Sequence, residues 1–386
     1  MDEVKLGTLT NRKIGYGIVQ PGASVPNGIP VIKVNNLIAG LKDIRELDTT
    51  SLENDKKYSR TKLVGGELIV SVVGTIGKTA IVPKEFAGCN LVRATALLDL
   101  QNPQMTYWVK YYIDSPCGQH YIRENLNTTV QPTLNVKSLV EMPIPIYSSE
   151  YMKTVISILK SLDDKIEVNR RINENLEQQA QALFKSWFVD FEPFKDGEFV
   201  ESELGMIPKG WRVGKLGELC QFKRGKGLLS KNAIPGDVPV VAGGLEPACY
   251  HNVSNTKAPV ITVSGSGANA GFMRMYHQEV WASDCSFIDV TCENWLFVYS
   301  FLAINSHLLR HAQTGAVQPH VKPADIHDFD LVIPPEEAIQ RFQNTILPFI
   351  NKKGLIEKES RRLASLRDSL LPRLMSGELK VEDVKI

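Results

Sequence analysis

Glycine-containing loops in both halves of the 386-residue chain carry polar and basic side chains. Arg and Lys can donate hydrogen bonds to guanine, Asn and Gln can pair with adenine, and Ser and Thr hydroxyls can hold phosphates. These residue types predict a surface that binds nucleic acid. The candidates in the first half are Arg12, Lys13, Tyr16, Lys33, Asn35, Asn36, Thr75, Lys78, Thr129 and Gln131. The candidates in the second half are Lys223, Arg224, Lys226, Ser266, Asn269, Arg274, Thr314, Gln318 and His320.

The charge balance says where such binding must come from. The chain has 44 Lys and Arg residues against 43 Asp and Glu residues, so its net charge is only +1. A polyanion must therefore be bound by local patches. Residues 210–275 contain eight basic and three acidic side chains and form such a patch. Each candidate alone is more simply a turn former or a solvated side chain, so the prediction depends on equivalent loops recurring in both halves.

Motifs for catalysis are incomplete. The run Gly74–Thr79 resembles the end of a phosphate-binding loop, but the glycine required five positions before Gly77 is Val72. The run Asn102–Met105 begins like the loop of an amino-methyltransferase but lacks the second proline and the stacking aromatic. No segment combines a nucleophile, a base and an oxyanion donor. We therefore expect a chain that is not an enzyme and that binds no metal or cofactor of its own.

Cysteine spacing and hydropathy indicate the compartment. The six cysteines are widely spread without a C-x-x-C pair, so we expect neither a zinc site nor a disulfide framework. No apolar run approaches 18 residues, which argues against a membrane span. The N-terminus lacks the apolar core of a signal peptide. These features predict a reducing, cytoplasmic location.

Short motifs recur in the same order in the two halves, which predicts an internal duplication. Each half then continues into a long segment of helical periodicity. The recurring pairs are Leu6-Gly7 with Leu216-Gly217, the apolar strand-and-glycine runs 68–74 and 260–265, Val130-Gln131-Pro132 with Val317-Gln318-Pro319, and Ile144-Pro145 with Ile333-Pro334.

The two helical segments show the heptad spacing of a coiled coil, with apolar residues alternately three and four positions apart. Two Asn residues lie in the middle of the first seam, where buried amides fix helix register. Pro348 and Gly354 predict a kink or weak point in the second segment. The predicted seam residues are Leu159, Leu162, Ile166, Asn169, Asn173, Leu176, Leu183, Trp187, Ile356, Leu363 and Leu370.

Together these patterns predict an α+β fold with two mixed α/β domains, separated by two long antiparallel coiled-coil helices and related by a pseudo-two-fold axis. Each domain is rich in short β-like runs punctuated by Gly, Pro and Asn. The predicted limits are a first domain over 1–148, a first helix over 149–192, a linker over 193–209, a second domain over 210–334, a second helix over 335–378 and a tail over 379–386.

With these elements in place, the chain resembles the specificity subunit of type I restriction–modification systems. The likeness covers essentially the whole chain, although the two domains carry little signature. The residues that carry it are the run Leu183–Pro193, the pattern Gly205-x-Ile207-Pro208-x-Gly210-Trp211 and the run Leu370–Glu378.

The resemblance implies that each domain is a target-recognition domain which reads one half of a split sequence in double-stranded DNA. It implies that the antiparallel helices set the gap between the half-sites and dock two methyltransferase subunits, and that restriction/translocase subunits join the complex. S-adenosylmethionine, ATP and magnesium would then belong to these partner subunits, and no membrane would be involved.

Two other classes of protein account for part of the pattern. A coiled-coil scaffold that binds protein partners would use the same heptads but would not need the basic turn at 223–226. A nuclease with an unrecognised site would need clustered carboxylates in its loops, which the sequence lacks. Steep salt dependence separates DNA binding from the scaffold, because counterions are released when phosphates are bound.

Overall fold

The computed structural model describes residues 2–41, 43–127, 132–313 and 319–379. Four of the residues predicted to bind DNA lie outside these ranges, namely Thr129, Gln131, Thr314 and Gln318. The chain divides into two compact units, Met1–Glu167 with Arg361–Ile386 and Val168–Ser360. Each unit thus contains one globular region and a part of both long helices.

The first unit is built on a four-stranded antiparallel sheet of order β2-β8-β5-β6, a three-stranded sheet of order β4-β3-β7 and the pairs β1-β11 and β9-β10. Its strands are β1 (Asp2–Lys5), β2 (Gly15–Tyr16), β3 (Ile29–Ile32), β4 (Thr49–Thr50), β5 (Leu68–Ser71), β6 (Thr79–Ile81), β7 (Asn90–Leu91), β8 (Thr95–Leu98), β9 (Leu126–Asn127), β10 (Thr133–Leu134) and β11 (Pro143–Ile146). Its helices are α1 (Val34–Ala39), α2 (Leu52–Lys57), α3 (Pro103–Asp114), α4 (Pro116–Glu124), α5 (Val136–Glu141) and the start of α6 (Ser149–Phe188).

The second unit repeats this topology. Its four-stranded sheet has the order β15-β21-β18-β19, its three-stranded sheet the order β17-β16-β20, and β14 pairs with β22. Its strands are β12 (Phe199–Ser202), β13 (Gly205–Pro208), β14 (Arg212–Lys215), β15 (Lys223–Arg224), β16 (Val238–Val241), β17 (Cys249–His251), β18 (Val260–Ser264), β19 (Met273–Tyr276), β20 (Trp281–Ala282), β21 (Cys285–Asp289) and β22 (Asp330–Ile333). Its helices are α7 (Trp295–Ile304), α8 (Ser306–His311), α9 (Pro323–His327) and α10 (Glu336–Met375), of which α10 ends in the first unit.

The duplication is confirmed at the level of the fold. In each unit the three-stranded sheet contains one parallel pair, β3 with β7 and β16 with β20. The two central strands of each four-stranded sheet are buried along their whole length, as the apolar runs at 68–71 and 260–264 predict. The fold is therefore α+β, with one strand order used twice.

In the first unit, the two long helices run antiparallel. The Tyr151 hydroxyl donates to the Leu374 carbonyl at 2.8 Å, and Arg367 pairs with Asp163 at 2.8 Å. Residues later in α6 therefore contact residues earlier in α10, as antiparallel helices require. Two aligned helix segments of this kind bury an apolar face that neither could bury alone.

In the second unit, the same two helices are again antiparallel. Asn169 is 1% exposed, and its amide donates to Glu359 at 2.8 Å and to the Ser360 hydroxyl at 3.2 Å. Further along, Lys353 pairs with Glu177 at 2.6 Å. The buried amide predicted on the seam therefore bonds across the helix pair.

Helix α10 is uninterrupted at Pro348 and Gly354, where the sequence predicts a kink or weak point. A Cβ atom on Gly354 would lie 2.8 Å from the His277 Nδ1 atom. The glycine lets that side chain pack closely against the helix.

The predicted seam needs correction at the C-terminal end of α6. Leu159 and Leu162 are buried as expected, and so is Ile356 on α10. Near the end of α6, however, the buried side chains are Phe184 and Phe188, spaced four apart, because this end packs into the core of the second unit instead of only against α10. Seam residues that are only half-buried are Ile166, Asn173, Leu176, Leu183, Trp187, Leu363 and Leu370.

Two further expectations are corrected in the second unit. The segment predicted as a linker over 193–209 contains the hairpin β12-β13. Cys220 and Cys292, which are 72 positions apart in sequence, form a disulfide with Cα atoms 6.2 Å apart. Spacing rules detect local cysteine pairs, whereas this pair is brought together by tertiary packing.

Among the described residues, no helix is long and apolar enough to cross a membrane.

The Gln343 side chain on α10 caps the start of α7. Its carbonyl accepts from the Leu296 and Phe297 N–H groups at 3.1 and 3.2 Å, and the residue is 7% exposed. Gln343→Ala leaves these two buried donors unpaired, so we expect a loss of about 1–2 kcal/mol in the free energy of unfolding. Urea unfolding followed by tryptophan fluorescence measures it. Asn344→Ala, at the exposed neighbouring position, is the control and should change stability by less than about 0.5 kcal/mol.

Candidate nucleic-acid interface

In each unit, loops from both sheets meet at one edge, held by backbone hydrogen bonds. In the first unit, Val92 N–H donates to Ile32 O at 3.1 Å, Val72 N–H to Ala94 O at 2.8 Å and Leu134 N–H to Val72 O at 2.9 Å. The segments 33–36, 92–94, 72–78 and 132–134 therefore converge, and we call them the first loop edge.

The second unit contains three corresponding backbone hydrogen bonds. Ser283 N–H donates to Val241 O at 2.8 Å, Gly265 N–H to Asp284 O at 3.1 Å and Val321 N–H to Gly265 O at 3.1 Å. The segments 242–246, 283–284, 265–272 and 319–321 form the second loop edge. Loops that are carried by two sheets in this way are displayed on a rigid support, as binding loops require.

A glycine is required where the chain enters each edge. A Cβ atom on Gly17 would lie 2.1 Å from the Leu91 carbonyl oxygen, and one on Gly225 would lie 2.2 Å from the Ser283 carbonyl oxygen. The two glycines hold the same place, since Gly17 N–H donates to Thr95 O and Gly225 N–H donates to Cys285 O. Only glycine permits this close approach of two backbones.

The second loop edge brings several predicted ligands together around one acidic residue. Arg224 pairs with Asp284 at 2.6 Å, and the Ser266 hydroxyl donates to the same carboxylate. Ser266 also forms a β-bridge with His320. Sequence reasoning missed Asp284, which orients Arg224 and reduces the positive charge of the cluster.

A second group lies at the loop 242–246. The Asn269 amide donates to Gly243 O at 3.4 Å. The Arg274 guanidinium donates to Leu245 O at 2.8 Å and stacks on the Tyr276 ring at 4.9 Å. These residues are half-buried and already bonded, so they shape the loop as well as facing solvent.

Lys223 and Lys226 are exposed, and no acid of the described residues is within ion-pair distance of either ammonium. Both ammonium groups can therefore reach a phosphate, although the Lys223 charge also helps to lower the pKa of the Asp289 carboxyl.

The first loop edge contains fewer of the predicted ligands. Thr75 and Lys78 are exposed on the glycine loop, which is held by the Ser71 hydroxyl through a bond from Lys78 N–H at 2.8 Å. Sequence reasoning missed Arg93, which is exposed on the segment 92–94. The internal repeat could have indicated Arg93, because the segment 92–94 corresponds to 283–284 in the other half.

Other first-half candidates have structural roles. The Tyr16 hydroxyl donates to Leu134 O at 3.1 Å and accepts from Val136 N–H at 2.9 Å. The Asn36 side chain accepts from Lys33 N–H at 2.8 Å at the start of α1, and the Lys33 ammonium pairs with Asp48 at 2.6 Å. Lys13 and Asn35 are exposed.

The Arg12 side chain already has several partners. Its guanidinium pairs with Glu67 and with Asp99, each at 2.7 Å, and donates to Lys62 O at 2.9 Å. Glu67 is only 2% exposed. A basic residue near the N-terminus looks available in sequence, but folding places beside it one acid that precedes β5 and one that follows β8.

This fold and these loop edges define a duplicated recognition protein whose two units share a pair of long helices. The chain matches the family model described as "Type I restriction modification DNA specificity domain" over residues 10–178 and 208–365. It belongs to that family, and the resemblance found in its sequence is confirmed.

Individual relatives agree with this assignment. The chain is 30% identical over 301 residues to the type I restriction enzyme MjaIX specificity subunit of Methanocaldococcus jannaschii, covering 72% of this chain and 70% of that protein. It is 25% identical over 328 residues to the HindI specificity subunit of Haemophilus influenzae, covering 64% and 71%. The crystal structure of the S subunit from M. genitalium has the same fold, with a TM-score of 0.57 at 15% identity and coverage of 97% and 95%. The chain is therefore a type I DNA specificity subunit.

Proposed function

We propose that this chain reads a DNA target in two separated half-sites, one for each loop edge, and that it does so without catalysing a reaction itself. The main support for this proposal is that the two units have the same strand order and the same three backbone hydrogen bonds at their loop edges. Two similar readers on one chain suit a bipartite target, because linkage raises the effective concentration of the second reader once the first has bound.

The helices supply the second part of the proposal. Both α6 and α10 have 40 residues, which is about 60 Å at 1.5 Å per residue. A paired helix of this length is stiff enough to set the gap between half-sites. In this proposal the helices also recruit two methyltransferase subunits and, through them, the restriction/translocase subunits. S-adenosylmethionine, ATP and magnesium are then held by those partners, in the cytoplasm.

Methylation mapping tests the proposal. The full chain is co-expressed with the methyltransferase subunit of its own system, and methylated bases are mapped across the host genome. We expect a bipartite motif with a fixed gap that disappears when this chain is omitted. A soluble complex that produces no new methylation would contradict the proposal, and so would an undivided motif.

The exposed lysines Lys223 and Lys226 give a prediction about DNA affinity. Lys223→Gln with Lys226→Gln should remove two phosphate contacts, so the slope of log affinity against log salt becomes shallower by about 2. Binding to the mapped target should weaken at every salt concentration tested, as measured by fluorescence anisotropy. Lys209→Gln, whose ammonium pairs with Glu198 on the hairpin β12-β13, is the matched control. An unchanged slope in the double variant would remove these lysines from the interface.

A further inference from the structure

A buried tyrosine in the first unit connects the globular region to both long helices. Tyr111 on α3 is 2% exposed, and its hydroxyl donates to the Asp163 carboxylate on α6 at 2.9 Å. The other oxygen of that carboxylate accepts from Arg367 on α10 at 2.8 Å. Three elements thus meet in one cluster of tyrosine, acid and base.

The second unit contains the same kind of cluster. Tyr299 on α7 is 7% exposed, and its hydroxyl is 2.9 Å from both oxygens of the Glu177 carboxylate on α6. Glu177 also accepts from the Lys353 ammonium on α10 at 2.6 Å. The Glu177 and Lys353 side chains are 20% and 17% exposed, so water competes little with these bonds.

The two tyrosines are equivalent in the duplication, while the ion pairs are not copies of each other. Helices α3 and α7 follow the four-stranded sheet in their respective units, and the tyrosines are separated by 188 residues. Asp163 lies on the part of α6 that follows its own globular region, whereas Glu177 lies near the far end of the same helix. In both units α6 nevertheless supplies the acid and α10 the base.

In the second cluster the ion pair and the tyrosine favour the charged form of the acid. Burial acts to raise the pKa of the Glu177 carboxyl, but the Lys353 charge and the bonds from Lys353 and Tyr299 outweigh it, and the pKa lies below its usual value. Burial and the Asp163 charge raise the pKa of the Tyr111 hydroxyl well above its ordinary range. The tyrosine therefore stays a donor, and its bond to a carboxylate is of the strong, charge-assisted kind.

We propose that Tyr111 and Tyr299 are positioning residues that fix each recognition domain on its helix pair, and thereby limit the gap between half-sites that the complex accepts. This inference rests on the proposed function. An apolar contact alone allows a domain to rotate slightly on a helix. A tyrosine hydroxyl that donates to an acid on α6 resists such rotation, because that acid also accepts from a base on α10. Loss of the hydroxyl should therefore reduce the preference for the native gap length more than it reduces the affinity for the native target.

The test uses the full chain in complex with its methyltransferase subunit. Binding is measured to duplexes that carry the mapped target with its native gap and with the gap one base pair shorter or longer. For the combined variant Tyr111→Phe with Tyr299→Phe, we expect the preference for the native gap to fall about tenfold, while affinity for the native gap changes by no more than about threefold.

Matched controls separate positioning from general loosening. Tyr112→Phe and Ser300→Ala alter the buried neighbours of the two tyrosines, and the only side-chain bond that these changes remove among the described contacts is from Ser300 to Leu296 O, within α7. Both controls should keep the wild-type preference, as should the conservative variant Lys353→Arg. An unchanged preference in the tyrosine variant, or an equal fall in the controls, would overturn the inference. Failure of the proposed function is distinct, since the wild-type complex would then show no dependence on the gap.

Discussion

Insertion of seven residues into both long helices should move the two half-sites apart and abolish methylation of the original target. One insert follows Arg171 in α6 and the other follows Glu357 in α10, so both lie between the ion pairs Asp163–Arg367 and Glu177–Lys353. Those pairs are 14 residues apart on each helix, which is two heptads. A third heptad on both helices preserves their pairing.

The expected size follows from helix and duplex geometry. Seven residues add about 10 Å to a helix, which corresponds to roughly three base pairs of DNA at about 3.4 Å each. Methylation mapping should show the same half-sites with a longer gap. Affinity for the original target should fall by roughly a hundredfold, because only one domain can then engage and the advantage of linkage is lost.

Two control insertions isolate the helices as the cause. The same seven residues placed after Asp196, before the hairpin β12-β13, should leave the gap unchanged. An insert in α6 alone should disrupt pairing with α10 and lower stability without producing a new defined gap. Unchanged spacing in the doubly extended chain would show that the helices do not set the gap.

Arg12→Met should destabilise the first unit strongly while leaving DNA recognition by the folded complex unchanged. The substitution leaves the Glu67 carboxylate, 2% exposed, with bonds from only the Val64 and Gly65 N–H groups at 2.7 and 2.8 Å. Removing one partner of a fully buried ion pair costs about 3–5 kcal/mol. Because Arg12 is 31% exposed and Glu67 keeps two backbone donors, we expect a loss of about 2–3 kcal/mol. Urea unfolding measures the loss.

A second variant separates the two roles that Arg12 could have. Arg12→Met combined with Glu67→Gln removes both charges and should recover more than half of the lost stability. Where the complex is folded, the salt dependence of DNA binding should match that of the wild type. A normal stability with a shallower salt slope would instead place Arg12 at the DNA, as its sequence position suggests. Lys13→Met, at the exposed neighbouring position, is the control.

The duplication, the two long helices and the family could be predicted from the sequence, because each depends on patterns that are local or repeated. Heptad spacing needs only the neighbouring turns of one helix, and the motif pairs need only their order along the chain. The strand runs at 68–71 and 260–264 were readable for the same reason, since a strand buried on both faces is a continuous apolar run.

Only the tertiary structure shows which of the predicted polar side chains already have partners within the chain. Arg12, Tyr16 and Lys33 look available in sequence, but partners from distant segments hold them. Arg93 and Asp284 enter the loop edges only because backbone hydrogen bonds join the segments 92–94 and 283–284 to residues that are distant in sequence. The shift of burial to Phe184 and Phe188 likewise depends on a core that the helix itself does not encode. A local pattern determines what an element is, whereas the charge and exposure of its side chains depend on which distant elements pack against it.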